Sequence, residues 1–147
     1  MTKLRELLGG STIRPQLVKD ACEVLDQEVA DKGGLSGMAI KGAYSVVKGI
    51  KSGFIPDVVD ALLDDFLDAL DPLREKAEQQ GVPLGDYFRR DPDQVAERLL
   101  AITDARAEKA ERAVVKKTYE KLRPTAKKNV EASVPRLAGL VMKHLPA

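Results

Sequence analysis

The amino-acid sequence predicts an all-α protein, a single-domain bundle of five to six helices. Three observations lead there. Apolar residues recur at spacings of three and four along most of the chain, glycine and proline fall where those runs end, and no segment reads as a convincing strand. The composition agrees: 44% of the residues are hydrophobic and 32% charged, a mix that builds a folded core and not a disordered chain. A length of 147 residues suits one domain. Aromatics make up 4% and tryptophan is absent, so an aliphatic core is expected.

The elements follow in order. TKLRELL, residues 2–8, gives a short amphipathic turn or two and stops at Gly9-Gly10. Thr12 then stands as the cap of a helix that tolerates Pro15 in its first turn and runs to about Asp31. Leu17, Val18, Ala21, Cys22, Leu25 and Val29 share one face of it, while Lys19, Asp20, Glu23, Asp26 and Gln27 lie opposite. A second helix is expected over 36–52, stopping near Gly53 and Pro56. The third and central helix spans about 56–80, kinked near Pro72. It ends at QQGVP, where glycine suits a left-handed cap and proline cannot continue. LGDYFRR, residues 84–90, reads as a helical turn at most. RDPDQ restarts the chain, with Asp91 as cap, Pro92 at the first helical position and Gln94 closing a capping-box variant. From Pro92 a long helix is expected to about Leu122, ~45 Å at 1.5 Å per residue, with a break near Thr103-Asp104 as the alternative. Pro124 and Thr125 open a last segment, interrupted at Pro135.

The second helix raises a question of its own. Interior glycine costs a helix about 0.8–1 kcal/mol against alanine, yet Gly42, Gly49 and Gly53 all fall in or beside it. On the wheel they gather, with Ser45 close by, between an apolar arc (Ala39, Ala43, Val46, Val47, Ile50, Phe54) and a polar arc of lysines. The expected reason is a groove in which another backbone approaches closely, either within the chain or from a partner.

Charge is segregated along the chain although the total is only +1, which argues against a globally basic nucleic-acid binder. Residues 32–54 carry four lysines and no acid. The central helix carries Asp57, Asp60, Asp64, Asp68 and Asp71 in one ridge, expected to be a solvated face, with a cation or a basic partner as the other reading. From Arg112 onward, nine lysines and arginines stand against Glu120 and Glu131, concentrated at Lys116, Lys117, Lys121, Arg123, Lys127 and Lys128. That patch is a solvated basic face or a polyanion site, with Tyr119 the only aromatic near enough to stack on a base.

No catalytic, cofactor or metal site is legible. Di-iron bundles need Glu-x-x-His pairs, and His144 is the only histidine. GGLSG, residues 33–37, lacks the Gly-Lys-Ser/Thr of a phosphate loop and reads as a connector. Cys22 lies on an apolar face, where a thiol behaves as a small hydrophobe, and as the only cysteine it excludes an internal disulfide. His144 sits in a last helical turn, where it favours the helix dipole. Glu28 falls on the apolar side of its helix, either a buried acid or one that reaches a lysine. No segment has the length and apolar character of a signal peptide or membrane span, so a cytoplasmic location is expected.

The functional expectation is therefore a non-enzymatic helical interaction module, self-associating or protein-binding through the groove at Gly42, Gly49 and Gly53. The alternatives are a peripheral binder of anionic membrane or nucleic acid through the basic C-terminal third, and a carrier of a hydrophobic ligand within the bundle.

Overall fold

The computed structural model describes residues 3–146; Met1, Thr2 and Ala147 lie outside the described residues. Seven helices and no strand are found among them: α1 (Leu4–Leu8), α2 (Arg14–Asp31), α3 (Gly34–Lys48), α4 (Phe54–Gln80), α5 (Leu84–Arg90), α6 (Pro92–Glu108) and α7 (Ala113–His144). Five are long and two are short, so the expected all-α bundle is what the chain forms.

Several boundaries follow the sequence signals. Gly81 caps α4 in the left-handed conformation (φ 69°), and Val82 N–H reaches back to Ala77 O at 3.0 Å, which satisfies carbonyls left open by the last turn. Asp91 accepts from Gln94 N–H at 3.2 Å, and the Gln94 side chain returns to the same carboxylate, closing the box at the start of α6. Pro15 sits in the first turn of α2 as expected, but Ile13 and not Thr12 is the N-cap, and no side chain caps that helix.

The largest departure lies in the second half. The helix from Pro92 stops at Glu108, residues 109–112 reverse the chain, and α7 then runs unbroken from Ala113 to His144. Neither the unbroken helix to Leu122 nor the break near Thr103-Asp104 is formed. Pairings between α6 and α7 show the antiparallel sense: Asp104 with Tyr119 and Arg123, then Asp93 and Glu97 with Lys127. The stretch DARAEKAER has only alanine to bury, too little to hold a projecting helix; folding back lets α7 cover α6 instead. Pro124 and Pro135, expected to open and to interrupt a segment, lie inside α7. Both are exposed, on the side of the helix where water is at hand for a carbonyl that loses its amide partner one turn back.

The core is gathered at one end of the bundle. Its fully buried side chains include Leu4 and Leu8 of α1, Leu73 of α4, Phe88 of α5, Val95 of α6 and Val134 of α7. The two shortest helices thus contribute some of the deepest residues. Leu84, Tyr87 and Phe88 make α5 a core element and not the bare turn the sequence suggested, and they set an aromatic pair in an otherwise aliphatic interior.

The opposite end is different. No residue of α2 beyond Asp20, of α4 before Leu63, of α6 beyond Leu100 or of α7 before Val134 is buried, and α3 buries only Gly37. Apolar side chains there, among them Leu25, Val47, Phe54, Leu62 and Leu122, stay half-buried. The exposed surface reflects this: 8447 Å², about 1,000 Å² more than the ~7,400 Å² of a compact monomer of this mass.

Candidate functional site

At the open end, α3 lies beside the first half of α7 with a trough of about 690 Å³ between them. Ala39, Gly42, Ala43 and Val46, spaced three and four apart, form the α3 wall. Val114, Lys117, Thr118 and Lys121, with the same spacing, form the α7 wall after Ala113. The lining is mainly small and apolar, and its two charged members, Lys117 and Lys121, are exposed. Upstream on α3, Leu35 is 87% exposed and Met38 70%, continuing the stripe that Val46 (53%) ends. Three of the five large hydrophobic residues left exposed among the described residues belong to this one helix.

The three glycines do not form the continuous groove expected of them. A Cβ at Gly42 would meet no heavy atom within 4 Å, so no backbone of this chain comes close to it. Gly49 is not interior at all: α3 ends at Lys48, and Gly49 caps it by donating to Ser45 O at 3.1 Å. Gly53 takes φ 75° between α3 and α4, a left-handed turn that favours glycine. Two of the three therefore serve chain geometry. Gly42 alone faces the trough, and the close intramolecular approach is made elsewhere, at Gly37, where a Cβ would lie 2.6 Å from the Lys32 carbonyl.

The basic patch divides in two. Arg123 forks onto Asp104 at 2.8 and 3.1 Å, and Lys127 reaches Asp93 at 2.6 Å and Glu97 at 2.7 Å. These two clamp the α6–α7 hairpin. Lys116, Lys117, Lys121 and Lys128 have no ion-pair partner among the described residues. Tyr119, the one aromatic near the patch, gives its hydroxyl to Asp104 and lies 2.7 Å from Thr103 Oγ1. Burial first, then Asp104, pushes its phenol above the ordinary range.

The aspartate ridge stays largely exposed to solvent, as expected, but it is paired along its length. Arg14 binds Asp60 at 2.6 Å and Asp64 at 2.9 Å, Arg5 binds Asp68 at 3.1 Å, and Leu4 N–H donates to Asp71 at 2.8 Å. Asp57 pairs with Lys51 at 3.1 Å. The ridge is the rail on which α1 and the start of α2 dock, and three of its five aspartates take N-terminal arginines as partners. Of the four lysines between residues 32 and 54, only Lys51 pairs with the ridge; Lys32 turns to Glu28 and Lys48 to Asp26. Among the described residues, no three His, Cys, Asp or Glu side chains converge at a spacing that holds a metal ion.

Other singled-out residues have structural partners. Glu28 meets Lys32 at 3.4 Å and Arg136 at 3.0 Å, the rim pairing the sequence allowed. Cys22 is partly buried, and burial pushes its thiol up, away from the thiolate a nucleophile needs. The residue that the sequence misplaced is Asp20. It is buried, against its position on the polar side of the wheel, and it receives Lys143 at 2.9 Å and His144 at 2.7 Å from the end of α7. Gln16 is a local donor to it, but its two basic partners lie more than 120 positions away, so no local pattern marks it as buried.

Fold and site together define an all-helical bundle, closed at its core end and carrying one lysine-rimmed apolar trough at the other. The chain belongs to a family of unknown function, DUF6918, whose profile matches residues 4–145. No curated protein and no solved structure matches it. No helix among the described residues is long and apolar enough to cross a membrane.

Proposed function

We propose that this protein is a non-enzymatic interaction module that docks a partner helix in the trough between α3 and α7. The observation that carries this reading is the uncovered stripe of α3, Leu35, Met38 and Val46, continuous with Val114 across the trough. Contiguous exposed apolar surface rimmed by polar groups is what binding faces present, and a groove between two helices is a common seat for a third. Gly42 supports the same reading. It bears the helix-propensity cost with no contact inside the chain to account for it.

A second copy of the chain is the alternative occupant. The surplus surface of about 1,000 Å² is close to the ~800 Å² that each partner buries in a standard interface. The basic C-terminal third supports polyanion binding less, because Arg123 and Lys127 are engaged within the hairpin. A hydrophobic-ligand carrier would need an enclosed chamber, and the trough lies open along the surface between two helices.

The test places a photo-crosslinking residue at position 46, and as a control at position 19 on the outer face of α2, in protein expressed in its native cell. A discrete adduct at 46, absent at 19 and lost when Gly42→Leu fills the trough, supports the reading. Equal labelling at both positions refutes it.

A further inference from the structure

Resting on the docking reading above, we infer that the trough selects an acidic amphipathic helix, one whose apolar stripe is flanked by carboxylates a turn apart.

The charge layout around the trough is one-sided. Neither wall carries an acid: α3 has none along its length, and the α7 lining supplies Lys117 and Lys121. Elsewhere on α7 four of the long basic side chains are matched within the fold, while Lys116 and Lys128, like the two lysines of the lining, have no ion-pair partner among the described residues. Arg123 is held by Asp104, Lys127 by Asp93 and Glu97, Arg136 by Glu28 and Asp31, and Lys143 by Asp20. Of the four unmatched lysines, Lys117 and Lys121 are the two that line the open apolar trough. They are four residues apart, about 6 Å along the helix, so they complement two carboxylates one turn apart on an adjacent helix.

The same layout separates the possible occupants. A second copy laid on the trough about a two-fold axis presents the same lysine-rimmed patch to its twin, since an isologous contact sets a surface against itself. Like charges would then meet with no acid on either wall to neutralise them. A bilayer is flat and meets the protruding Leu35 and Met38, leaving the concave floor unfilled. Nucleic acid would find methyl groups where it needs stacking surfaces, since no aromatic residue is among those that line the trough. A helix with apolar residues at three- and four-residue spacing fills the floor and sets its flanks beside Lys117 and Lys121. The absence of a side chain at Gly42 lets its backbone come close to α3.

The experiment is a displayed library of helical peptides about fifteen residues long, with the apolar stripe held constant and the flanking positions randomised. It is selected against the full chain, then against Lys117→Glu/Lys121→Glu and Val46→Asp, all three checked for unchanged helicity. The expected result is enrichment of Asp and Glu at flanking positions one turn apart. The best peptide, made synthetically, should bind the double charge variant at least about tenfold more weakly, a difference of ~1.4 kcal/mol. A peptide with those acids changed to lysine should recover binding to the double variant. Neutral or basic flanks among binders lost in Val46→Asp would overturn the acidic selection while leaving the docking reading intact. No peptide whose binding depends on Val46 would sink both. Sedimentation of a dimer abolished by Val46→Asp would assign the trough to a second copy. Retention on phosphatidylglycerol vesicles abolished by Leu35→Ser/Met38→Ser would assign it to a membrane. Either of these, with no acidic peptide selected, also overturns the inference.

Discussion

His144 Nε2 lies 2.7 Å from Asp20 Oδ2, joining the last turn of α7 to the middle of α2 across 124 positions of sequence. Lys143 reaches the same oxygen at 2.9 Å and Gln16 the other at 2.8 Å, so a carboxylate with little exposure to water has three donors. The contact closes the bundle: α7 begins at the open end against α3 and finishes locked to α2 beside the core. It also leaves the last turn of α7 with a specific anchor where a helix end would otherwise fray.

That anchor predicts a pH dependence. Lys143 first, then His144, hold the Asp20 carboxyl down at about 2 from an ordinary 3.8, against the opposing effect of burial. A carboxylate whose folded value is depressed contributes stability that is fully present above its unfolded value and lost as pH falls toward the folded one. Thermal melts of the wild type should therefore lose stability between about pH 4 and about pH 2. Asp20→Asn should be less stable near neutrality and should show a shallower decline across the same window. Parallel acid limbs for the two proteins would contradict the assignment.

Core and trough should respond oppositely to truncation. Phe88 is 1% exposed and packed among residues of several helices, so Phe88→Ala should lower the unfolding free energy by about 3–5 kcal/mol in urea titration. Leu35 is 87% exposed, and Leu35→Ser should leave it within ~0.5 kcal/mol of the wild type. A large loss at Leu35 would mean that α3 packs inward in solution.

Two glycines on one helix make a matched pair. Gly42→Ala adds a methyl where no atom stands within 4 Å and should stabilise α3 by about 0.8–1 kcal/mol through helix propensity. At Gly37 the same methyl would lie 2.6 Å from the Lys32 carbonyl, and Gly37→Ala should destabilise despite its better propensity. Chemical denaturation of both variants reads the signs directly.

The hairpin clamp is visible by ultraviolet titration. Burial and the hydrogen bond to Asp104 raise the Tyr119 phenol, and burial with Asp26 raises Tyr44. Phenolate absorbance should accordingly develop late, above pH 10, with one of the delayed steps missing in Tyr119→Phe. Asp104→Asn, which removes the negative charge beside that hydroxyl, should bring the Tyr119 step to lower pH. An unchanged step would show that the Asp104 contact does not persist in solution.

Some of this could be read along the chain. The stop at Gly81, the box at Asp91 and Gln94 and the apolar stripe of α4 are local: each depends on residues within a turn or two, where backbone hydrogen bonding decides the outcome. The same local logic failed at Pro124 and Pro135. A proline removes one hydrogen bond, and whether that ends a helix depends on whether water can satisfy the freed carbonyl, a matter of which side faces out. It failed at α5 too, where a seven-residue helix owes its existence to what Phe88 and Tyr87 pack against.

For the candidate site, the residues were legible singly and not as a set. Gly42 and the lysines at 117 and 121 stood out, but on different surfaces, and nothing within a turn of either indicated that α7 folds back beside α3. The sequence alone determined helicity, the separation of acidic and basic segments and most helix ends, because these depend on near neighbours. Tertiary structure alone decided which charges are matched, with Arg14 on the ridge and Asp20 under His144, and which are left over at the trough. Electrostatic pairing and burial act through space, and the helices had to be stacked before any distance between them existed.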